Sequence, residues 1–360
     1  MKFQLTYSVP SKKINTPICI GKGVFDKIKS IAPLNKYSSV LTIVDENVSR
    51  HWSDRIHKII GKGASSYTIP SGEKNKSLAT VEKIWAILSK KGFDRNSLII
   101  NIGGGMVCDI GAFAASTYMR GIDYIQVPTT LLAQADAAIG GKTGFNFNGL
   151  KNTIGTFSSP IAIISDTSFL STLPKRDLNS GFAEIIKHAL IADKDLFNFL
   201  LKKNFASLNG KQLDKTLLLS THIKCEIAGK DPYEKKERKK LNFGHTVGHA
   251  VEMACQDSPT PLLHGEAVAI GMIAEARMSF LLGNLSEKKF KDIENLINKA
   301  GQPNKVSATY KNAILKKMLA DKKNVSKQIR WVFLKDIGKV KVDVTLSDKI
   351  VNEGLSYILQ

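Results

Sequence analysis

The feature that most constrains the fold is a series of short, continuous apolar segments in the first half of the chain. Ser39–Val44, Ser97–Ile102, Tyr124–Val127 and Ile161–Ile164 are rich in β-branched residues, and each stops at or near a glycine, a proline or an acidic residue. Between the first two, Leu78–Lys91 places its apolar side chains on one face of a helix. Strands without polar alternation are buried on both faces, so this pattern predicts a parallel sheet covered by helices.

The second half of the chain has a different periodicity. Strand patterns nearly vanish from about Asp177 onward, apart from two late β-rich segments around a turn at Asp336–Gly338. Helical spacing of apolar residues dominates instead, in Gly181–Leu190, Leu217–Ala228, Thr246–Ala254 and Glu266–Leu282. The sequence therefore predicts an α/β N-terminal domain with a Rossmann-like parallel sheet, residues 1–172, followed by a mainly α-helical C-terminal domain, residues 173–360.

Composition limits the classes of partner. The chain has 52 basic and 32 acidic side chains, a formal charge of +20, but most of the excess is lysine scattered over predicted helices, without a basic stripe carrying interleaved aromatics. We therefore expect neither nucleic acid nor a membrane to be a partner. Nucleic-acid binding is an alternative hypothesis, and the net charge is the only feature that supports it. No apolar stretch approaches the roughly 20 residues of a membrane span.

Cysteine usage and the start of the chain bear on the cellular compartment. Four widely spaced cysteines include no Cys-x-x-Cys pair, which favours buried free thiols over a zinc knuckle or a disulfide framework: Cys19, Cys108, Cys225 and Cys255. The first residues, Met1–Leu5, have no apolar signal core. These features predict a cytoplasmic protein.

A glycine run marks a candidate phosphate site. Gly103–Gly105 follows a predicted buried strand and precedes a predicted helix from about Val107 to Ser116, so backbone amides and a helix N-terminus can face a pyrophosphate. The run lacks the Gly-x-Gly-x-x-Gly spacing, and a tight turn is the alternative explanation. Asp45, at the end of an earlier strand, is placed to bind a ribose, and Asn47 follows it.

A second group has the composition of a metal site. His245 and His249 are four residues apart on one face of a predicted helix, His264 follows shortly, and Glu184 lies upstream on another helix. Two histidines and one carboxylate leave an open position on zinc, which is typical of a catalytic site. The glutamate of a His-Glu-x-x-His metalloprotease is absent between the two histidines, so a peptidase is excluded.

A third group is cationic. Five basic residues lie beside glycines, asparagines or the candidate ligands rather than on plainly charged helix faces: Lys142, Lys151, Lys187, Lys224 and Arg238. Any one of them alone is better explained as a solvated surface side chain. Together they suit a substrate that carries phosphate and carboxylate groups.

Several motifs resemble the 3-dehydroquinate synthase family of sugar phosphate cyclases. They occur in the family's order, at Pro70–Lys74, Gly121–Gln134, Gly140–Gly144 with Lys151-Asn152, Gly181–Lys187, Leu241–Ala250 and Leu263–Glu266. The resemblance implies NAD and Zn²⁺ (or Co²⁺) as cofactors and a homodimer. It also implies conversion of 3-deoxy-D-arabino-heptulosonate 7-phosphate to 3-dehydroquinate and phosphate in the shikimate pathway, through transient oxidation, phosphate elimination, reduction and intramolecular aldol closure.

The resemblance also implies a role for individual residues. The metal would be held by Glu184, His245 and His264. NAD would contact Asp45, Asn47, Glu73, Lys76, Gly104, Gly105, Asp109, Thr129, Thr130, Lys142, Lys151, Phe169, Thr172 and Leu173. The substrate and the catalytic steps would involve Asp136, Lys142, Asn152, Lys187, Lys224, Arg238 and His249, with Arg120 reaching the phosphate across a dimer contact and Lys322 as a further candidate.

This chain departs from the family pattern in three places. Ala137 and Ala138 stand where serines are common, Leu150 replaces a glycine, and charged residues fill Glu234–Lys240. None of these departures removes a metal ligand or a catalytic charge. The alternatives are another sugar phosphate cyclase of inosose or valiolone type, and a metal-dependent polyol dehydrogenase.

Overall fold

The computed structural model describes residues 2–9, 12–61, 63–148, 150–203, 205, 208, 210–319 and 329–360. The chain divides into two compact units, Met1–Pro174 and Lys175–Gln360. The boundary predicted from the sequence, after residue 172, falls two residues before the end of the first unit.

The first unit is built on a seven-stranded sheet. In chain order its strands are β1 (Lys2–Val9), β2 (Lys12–Ile20), β3 (Val40–Asp45), β4 (Ser65–Ile69), β5 (Leu98–Gly103), β6 (Asp123–Pro128) and β9 (Ala162–Ser165). They lie in the order β1-β2-β9-β6-β5-β3-β4. Only the pairing of β1 with β2 is antiparallel, and all the other pairings are parallel.

Helices cover both faces of this sheet, as continuous apolar strands require. They are α1 (Ile28–Ile31), α2 (Glu46–Ile60), α3 (Leu78–Lys90) and α4 (Gly105–Thr117). Within β5, Ile99 packs with α3 and α4 in one hydrophobic cluster, while Ile100 and Ile102 pack with α1 and α2 in the other. Alternate side chains of one strand thus enter opposite cores, and the predicted α/β class is confirmed.

A separate antiparallel hairpin consists of β7 (Lys142–Phe147) and β8 (Leu150–Phe157). Phe145 lies in the same core cluster as Phe113 of α4. The sequence did not predict these strands, because β8 is mostly solvent-exposed and lacks apolar alternation.

The second unit is mainly helical, as predicted. Its elements are α5 (Lys175–Ala192), α6 (Lys194–Lys202), α7 (Gly210–Lys230), α8 (His245–Ala254), α9 (His264–Leu281), α10 (Glu287–Lys299), α11 (Lys311–Leu319), β10 (Trp331–Asp336), β11 (Lys339–Val344) and α12 (Asp348–Ile358). Helix α9 is buried over most of its length and packs against α5, α8, α10 and α12. A helix that is apolar on all sides belongs at the centre of a domain.

Two further sequence predictions can be compared with the structure. All four cysteines are free and buried, which agrees with the prediction of buried thiols. Within the described ranges, no helix combines the length and the apolar character that crossing a bilayer requires.

Candidate active site

A cleft in the first unit lies where the strand order reverses direction. From β3 the chain runs to β4 on one side and then to β5 on the other. Crevices at such switch points, outside the carboxyl ends of parallel strands, are the usual ligand sites of open α/β sheets. The cleft has a volume of about 160 Å³ and is lined by Asp45, Asn47, Ser71, Gly72, Glu73, Gly104, Gly105, Met106 and Val107.

Asp45 connects the end of β3 to this cleft. Its Oδ1 accepts hydrogen bonds from the backbone N–H groups of Asn47 (2.9 Å) and Val48 (3.1 Å) and so caps helix α2. The contacts among the described residues leave Oδ2 for a ligand. Helix α4 begins at Gly105, directly after β5, so two helix N-termini border the cleft and favour an anionic group there.

Three of the predicted site residues form one hydrogen-bonded cluster. Lys76 is buried, and its Nζ lies 2.5 Å from both Asp109 Oδ2 and Asn152 Oδ1. Asn146 of β7 donates its backbone N–H to Lys76 O (2.9 Å) and its side-chain amide to Glu73 Oε1 (3.0 Å). The β7–β8 hairpin is thereby attached to the Glu73–Lys76 segment, and Asn152 is brought to two predicted cofactor residues.

Phe169 lies in the core rather than in the cleft. Only 1% of its surface is exposed, and its ring packs against Phe25 and Trp52, with ring centroids 5.6 and 4.9 Å apart. Contact of Phe169 with a ligand is therefore limited to its backbone. Thr172, on the same 3₁₀ helix, accepts a hydrogen bond from Trp52 Nε1 at 2.9 Å, and Leu173 follows that helix.

The remaining predicted residues of this unit are spread over four segments. Thr129 and Thr130 follow β6, and the Thr129 N–H donates to Gly103 O at 2.9 Å. The others occupy the following places: Asp136 in a π-helical turn, Lys142 on β7, Lys151 on β8, and Arg120 in an exposed turn after α4.

Sequence reasoning missed some residues that line the cleft. Ser71, Gly72, Met106 and Val107 were not predicted as site residues, although all four contribute to its walls. Ser71 lies within the Pro70–Lys74 motif, and its Oγ accepts a hydrogen bond from Asn47 Nδ2 at 3.0 Å. The position of Ser71 in that motif was the signal that could have identified it. Met106 and Val107 line the cleft because they belong to the first turn of α4, which begins at Gly105.

The predicted metal ligands converge in the second unit. Glu184 of α5 is fully buried, and its Oε1 lies 3.6 Å from His245 Nε2 and 3.7 Å from His264 Nε2. Two ligands of a tetrahedral zinc, each about 2.0–2.1 Å from the ion, lie about 3.4 Å apart. The observed spacings are close to that value, so this donor set fits a zinc-sized divalent metal.

His249 also belongs to this cluster. Ring nitrogens of His245, His249 and His264 all lie within 4.8 Å of one another. The family resemblance implied Glu184 rather than His249 as the third ligand. The described geometry brings both Glu184 and His249 within reach of the ring nitrogens of His245 and His264.

Close helix contacts bring these ligands together. A Cβ atom added at Gly271 of α9 would lie 2.0 Å from Gly244 O, just before α8, and one at Gly265 would lie 1.9 Å from Ser180 O of α5. Both distances are far below any van der Waals contact. Glycine at these positions therefore permits the approach of α8 and α5 to α9, and hence of His245 and Glu184 to His264.

Hydrogen bonds orient the start of α8. Glu275 of α9, 1% exposed, accepts from the N–H groups of Gly244 (2.7 Å) and Val247 (3.2 Å). His245 Nδ1 lies 3.2 Å from Phe243 O. Because a carbonyl oxygen only accepts, Nδ1 carries the proton, and the lone pair of His245 is on Nε2, which faces Glu184.

Three cations of the second unit are buried. Lys187, Lys224 and Arg238 are 1%, 5% and 3% exposed, and Lys187 Nζ contacts Glu184 Oε2. The elements that carry them, α5, α7 and the turn Glu237–Asn242, pack against one another. Three buried basic side chains on elements that pack together give this part of the unit positive charge, which favours an anionic ligand.

The charged segment that departs from the family pattern is organised around Asp231. Its carboxylate accepts the backbone N–H groups of Lys235 (2.9 Å), Lys236 (2.6 Å) and Arg238 (3.1 Å). Burial raises the pKa of Asp231, but these hydrogen bonds outweigh it and lower the pKa. The segment thus holds Arg238 in place despite its changed composition. Lys322 lies outside the described residues.

Comparison with known proteins covers both units. Family models described as the N-terminal and C-terminal parts of 3-dehydroquinate synthase match residues 66–180 and 181–324. The 3-dehydroquinate synthase of Pelagibacter ubique is 38% identical over 354 residues, covering 94% of this chain and 96% of that protein. That of Alkaliphilus metalliredigens is 39% identical over 345 residues, covering 95% and 96%.

Solved structures of related cyclases share the fold. A 2-deoxy-scyllo-inosose synthase, complexed with carbaglucose-6-phosphate, NAD⁺ and Co²⁺, has a TM-score of 0.86 at 26% identity and covers 99% of both chains. The 2-epi-5-epi-valiolone synthase of Streptomyces hygroscopicus, with NAD⁺ and Zn²⁺ bound, has a TM-score of 0.85 at 25% identity and covers 98% of both. From the matches over both units and the identity along nearly its whole length, this chain belongs to the 3-dehydroquinate synthase family.

Proposed function

We propose that the protein converts 3-deoxy-D-arabino-heptulosonate 7-phosphate into 3-dehydroquinate and inorganic phosphate. The observation that carries this proposal is the convergence of Glu184, His245 and His264 in a chain whose relatives, 38–39% identical over nearly its full length, are 3-dehydroquinate synthases. The buried cations of the same unit add support, because the substrate carries both a phosphate and a carboxylate.

The first unit is assigned to NAD binding and the second to binding of the metal and the substrate. In the second unit, Glu184, His245 and His264 hold Zn²⁺ or Co²⁺. When bound, the metal supplies a Lewis acid for the substrate oxygens, and NAD supplies a reversible hydride acceptor. The NAD⁺, Co²⁺ and Zn²⁺ in the related cyclase structures support this choice of cofactors.

In the NAD site, Asp45 accepts a hydrogen bond from a ribose hydroxyl. The amides of Gly104 and Gly105 and the N-terminus of α4 bind the pyrophosphate. The other assigned contacts are those of Asn47, Glu73, Lys76, Asp109, Thr129, Thr130, Lys142, Lys151, Phe169, Thr172 and Leu173. The core position of Phe169 restricts its contribution to the backbone.

Charged residues bind the substrate. Lys187, Lys224 and Arg238 hold its anionic groups, and Asp136, Lys142 and Asn152 orient the ring. Fixed positive charge that is already in place lowers the reorganisation needed as charge develops on the leaving phosphate. His249, whose ring centroid is 5.1 Å from that of His245, transfers protons at the substrate hydroxyls.

The protein is further proposed to act as a cytoplasmic homodimer, with Arg120 of one copy completing the phosphate site of the other. Apolar side chains of the β7–β8 hairpin are exposed, at 41% for Phe147, 56% for Leu150 and 41% for Phe157. Phe147 and Leu150 are paired directly at the turn of the hairpin, and adjacent exposed apolar groups of this kind are typical of an interface. Sedimentation of wild type and Leu150→Lys tests this, and a wild-type monomer would contradict it.

Replacing Asp45 is expected to weaken NAD binding without slowing chemistry at saturating NAD. Loss of a charge-assisted hydrogen bond costs about 1.5–3 kcal/mol, or roughly 10- to 100-fold in the dissociation constant. Asp45→Ala also removes the cap of α2 and about 1 kcal/mol of stability, whereas Asp45→Asn keeps an acceptor for the cap.

The measurements are NAD titrations and steady-state kinetics of both variants. Asp54→Asn, an exposed residue of the same helix, is the matched control. A collapse of turnover at saturating NAD in Asp45→Asn would contradict the assignment to the ribose.

Metal affinity is expected to depend steeply on pH. Burial lowers the pKa of His264, but the hydrogen bonds and charges of Glu184 and Glu252 outweigh it and raise the pKa from 6.5 to about 9 in the metal-free protein. The ring must lose a proton before it binds metal. The apparent affinity should therefore rise about tenfold per pH unit from pH 7 to 9 and level off above that.

The stability of the metal-free protein should change in the opposite direction. The protonated ring stabilises the folded state fully below pH 6.5, and this contribution is lost as the pH rises through about 9. Chelator-competition titrations and thermal melts across this pH range check both trends. A metal affinity that does not change between pH 7 and 9 would contradict the raised pKa of His264.

The substrate is tested by phosphate release. We expect rapid release from 3-deoxy-D-arabino-heptulosonate 7-phosphate and little from glucose 6-phosphate, which resembles the ligand of the inosose synthase. The reverse preference would replace the proposed activity by that of another sugar phosphate cyclase.

A further inference from the structure

Glu252 is a buried carboxylate next to a proposed metal ligand. It lies on α8, the helix that begins with His245 and also carries His249, and it is 9% exposed. Its Oε2 lies 3.4 Å from His264 Nδ1. None of the roles assigned above to metal, NAD or substrate includes Glu252.

The two ring nitrogens of His264 face two different carboxylates. Nδ1 faces Glu252, while Nε2 lies 3.7 Å from Glu184 Oε1. A neutral imidazole has one N–H and one lone pair, and which nitrogen carries the proton depends on the hydrogen bond made by the other. A carboxylate behind Nδ1 keeps the proton there and leaves the lone pair on Nε2, beside Glu184.

His245 has the same arrangement with a different acceptor. Its Nδ1 lies 3.2 Å from Phe243 O, and its Nε2 lies 3.6 Å from Glu184 Oε1. Both rings therefore have an acceptor behind Nδ1 and direct Nε2 toward one carboxylate oxygen. Such partners behind the ligands orient metal-binding histidines and increase the basicity of the ligating nitrogen.

The backbone that carries His264 is held independently of Glu252. Arg176 of α5 forms two bonds of 2.7 Å with Glu266, and Glu266 Oε2 accepts the Leu263 N–H at 2.8 Å. These contacts fix the first turn of α9. Removal of the Glu252 carboxylate should therefore release the ring of His264 rather than the helix.

We propose that Glu252 is a positioning residue that fixes the tautomer and the orientation of His264 for metal binding. This inference rests on the proposed metal site, and it adds a residue that acts through His264 without touching metal or substrate. The spacing of residues along α8 gave no signal for Glu252, because its contact with His264 depends on the approach of α9 to α8.

The test compares the metal affinity of three variants of the full chain with that of wild type. Metal-free proteins are titrated with Zn²⁺ against a chromophoric chelator and with Co²⁺ by visible absorption. Glu252→Ala is expected to lose about 10- to 100-fold in affinity, the usual effect of removing such a partner. Glu252→Gln should lose less, because its carbonyl oxygen still accepts from Nδ1.

Glu294→Gln is the matched control. Glu294 lies in the same unit and accepts a hydrogen bond from Tyr357 OH at 2.8 Å. The metal affinity and the Co²⁺ spectrum of the Glu294→Gln variant should equal those of wild type. Thermal melts of the metal-free proteins, recorded in parallel, separate a loss of stability from a loss of affinity.

Three outcomes decide the matter. Metal affinity that decreases from wild type to Glu252→Gln and again to Glu252→Ala supports the proposal. If Glu252→Ala does not fold, the comparison of Glu252→Gln with the control Glu294→Gln serves the same purpose. If the Glu252 variants bind metal as tightly as wild type and differ at most in a lower melting temperature, Glu252 contributes to stability and does not position His264. Failure of wild type itself to bind metal would overturn the proposed metal site and this inference with it.

Discussion

His264→Ala is expected to abolish tight metal binding and to reduce turnover to background. The variant leaves the buried carboxylate of Glu184 facing one histidine fewer. Loss of a partner behind a ligand already costs about 10- to 100-fold in affinity, and loss of the ligand itself should exceed this. Metal content after dialysis and phosphate release at added Zn²⁺ measure the two effects.

Two further histidine variants complete this experiment. His222→Ala changes an exposed histidine of α7 and should leave both metal content and turnover as in wild type. His249→Ala should retain metal and lose turnover if its role is proton transfer. Loss of metal in His249→Ala would make His249 the third ligand, and full activity with normal metal content in His264→Ala would remove His264 from the ligand set.

Lys187→Met is expected to lower kcat/KM by a hundredfold or more. Lys187 is 1% exposed and contacts Glu184 Oε2, so its charge is desolvated and already in place. Truncating one partner of a buried, hydrogen-bonded charge pair at a binding site costs about 2–5 kcal/mol, and about 1.4 kcal/mol corresponds to each tenfold change in rate. Part of this cost should also appear as lower stability of the metal-free protein, where Glu184 has lost a cation.

The measurement is kcat/KM for the heptulosonate phosphate, together with metal content. Lys175→Met, an exposed lysine at the start of the same helix, is the control and should stay within about 0.5 kcal/mol of wild type. An unchanged kcat/KM in Lys187→Met would show that its charge acts on neither phosphate nor carboxylate.

Much of the fold followed from hydrophobic pattern. The predicted strand Ser39–Val44 is β3, displaced by one residue, and the predicted helix Leu78–Lys91 is α3 without its last residue. The β7–β8 hairpin was not predicted. Its exposed strand β8 presents no apolar alternation, and its position depends on long-range hydrogen bonds of Asn146 that a local pattern does not contain.

The metal cluster was predictable to the extent that its ligands form motifs. The family resemblance implied Glu184 rather than His249 as the third ligand. His245 and His249 lie on one helix face, His264 follows nearby, and Glu184, on a helix upstream, was included with them from composition. Glu252 was not, because its role depends on the contact between α8 and α9 rather than on spacing. The placement of Phe169 in the core was equally hidden, since an aromatic residue after a strand fits a ligand contact or a core.

Following two signals in one reaction tests the proposed cyclase activity directly. Protein, NAD, Zn²⁺ and 3-deoxy-D-arabino-heptulosonate 7-phosphate are mixed, and released phosphate and NADH absorbance are recorded together. We expect continuous phosphate release with no net NADH, stopped by a chelator and restored by added metal. Steady accumulation of NADH without phosphate release would contradict the proposed cyclase reaction and indicate a dehydrogenase.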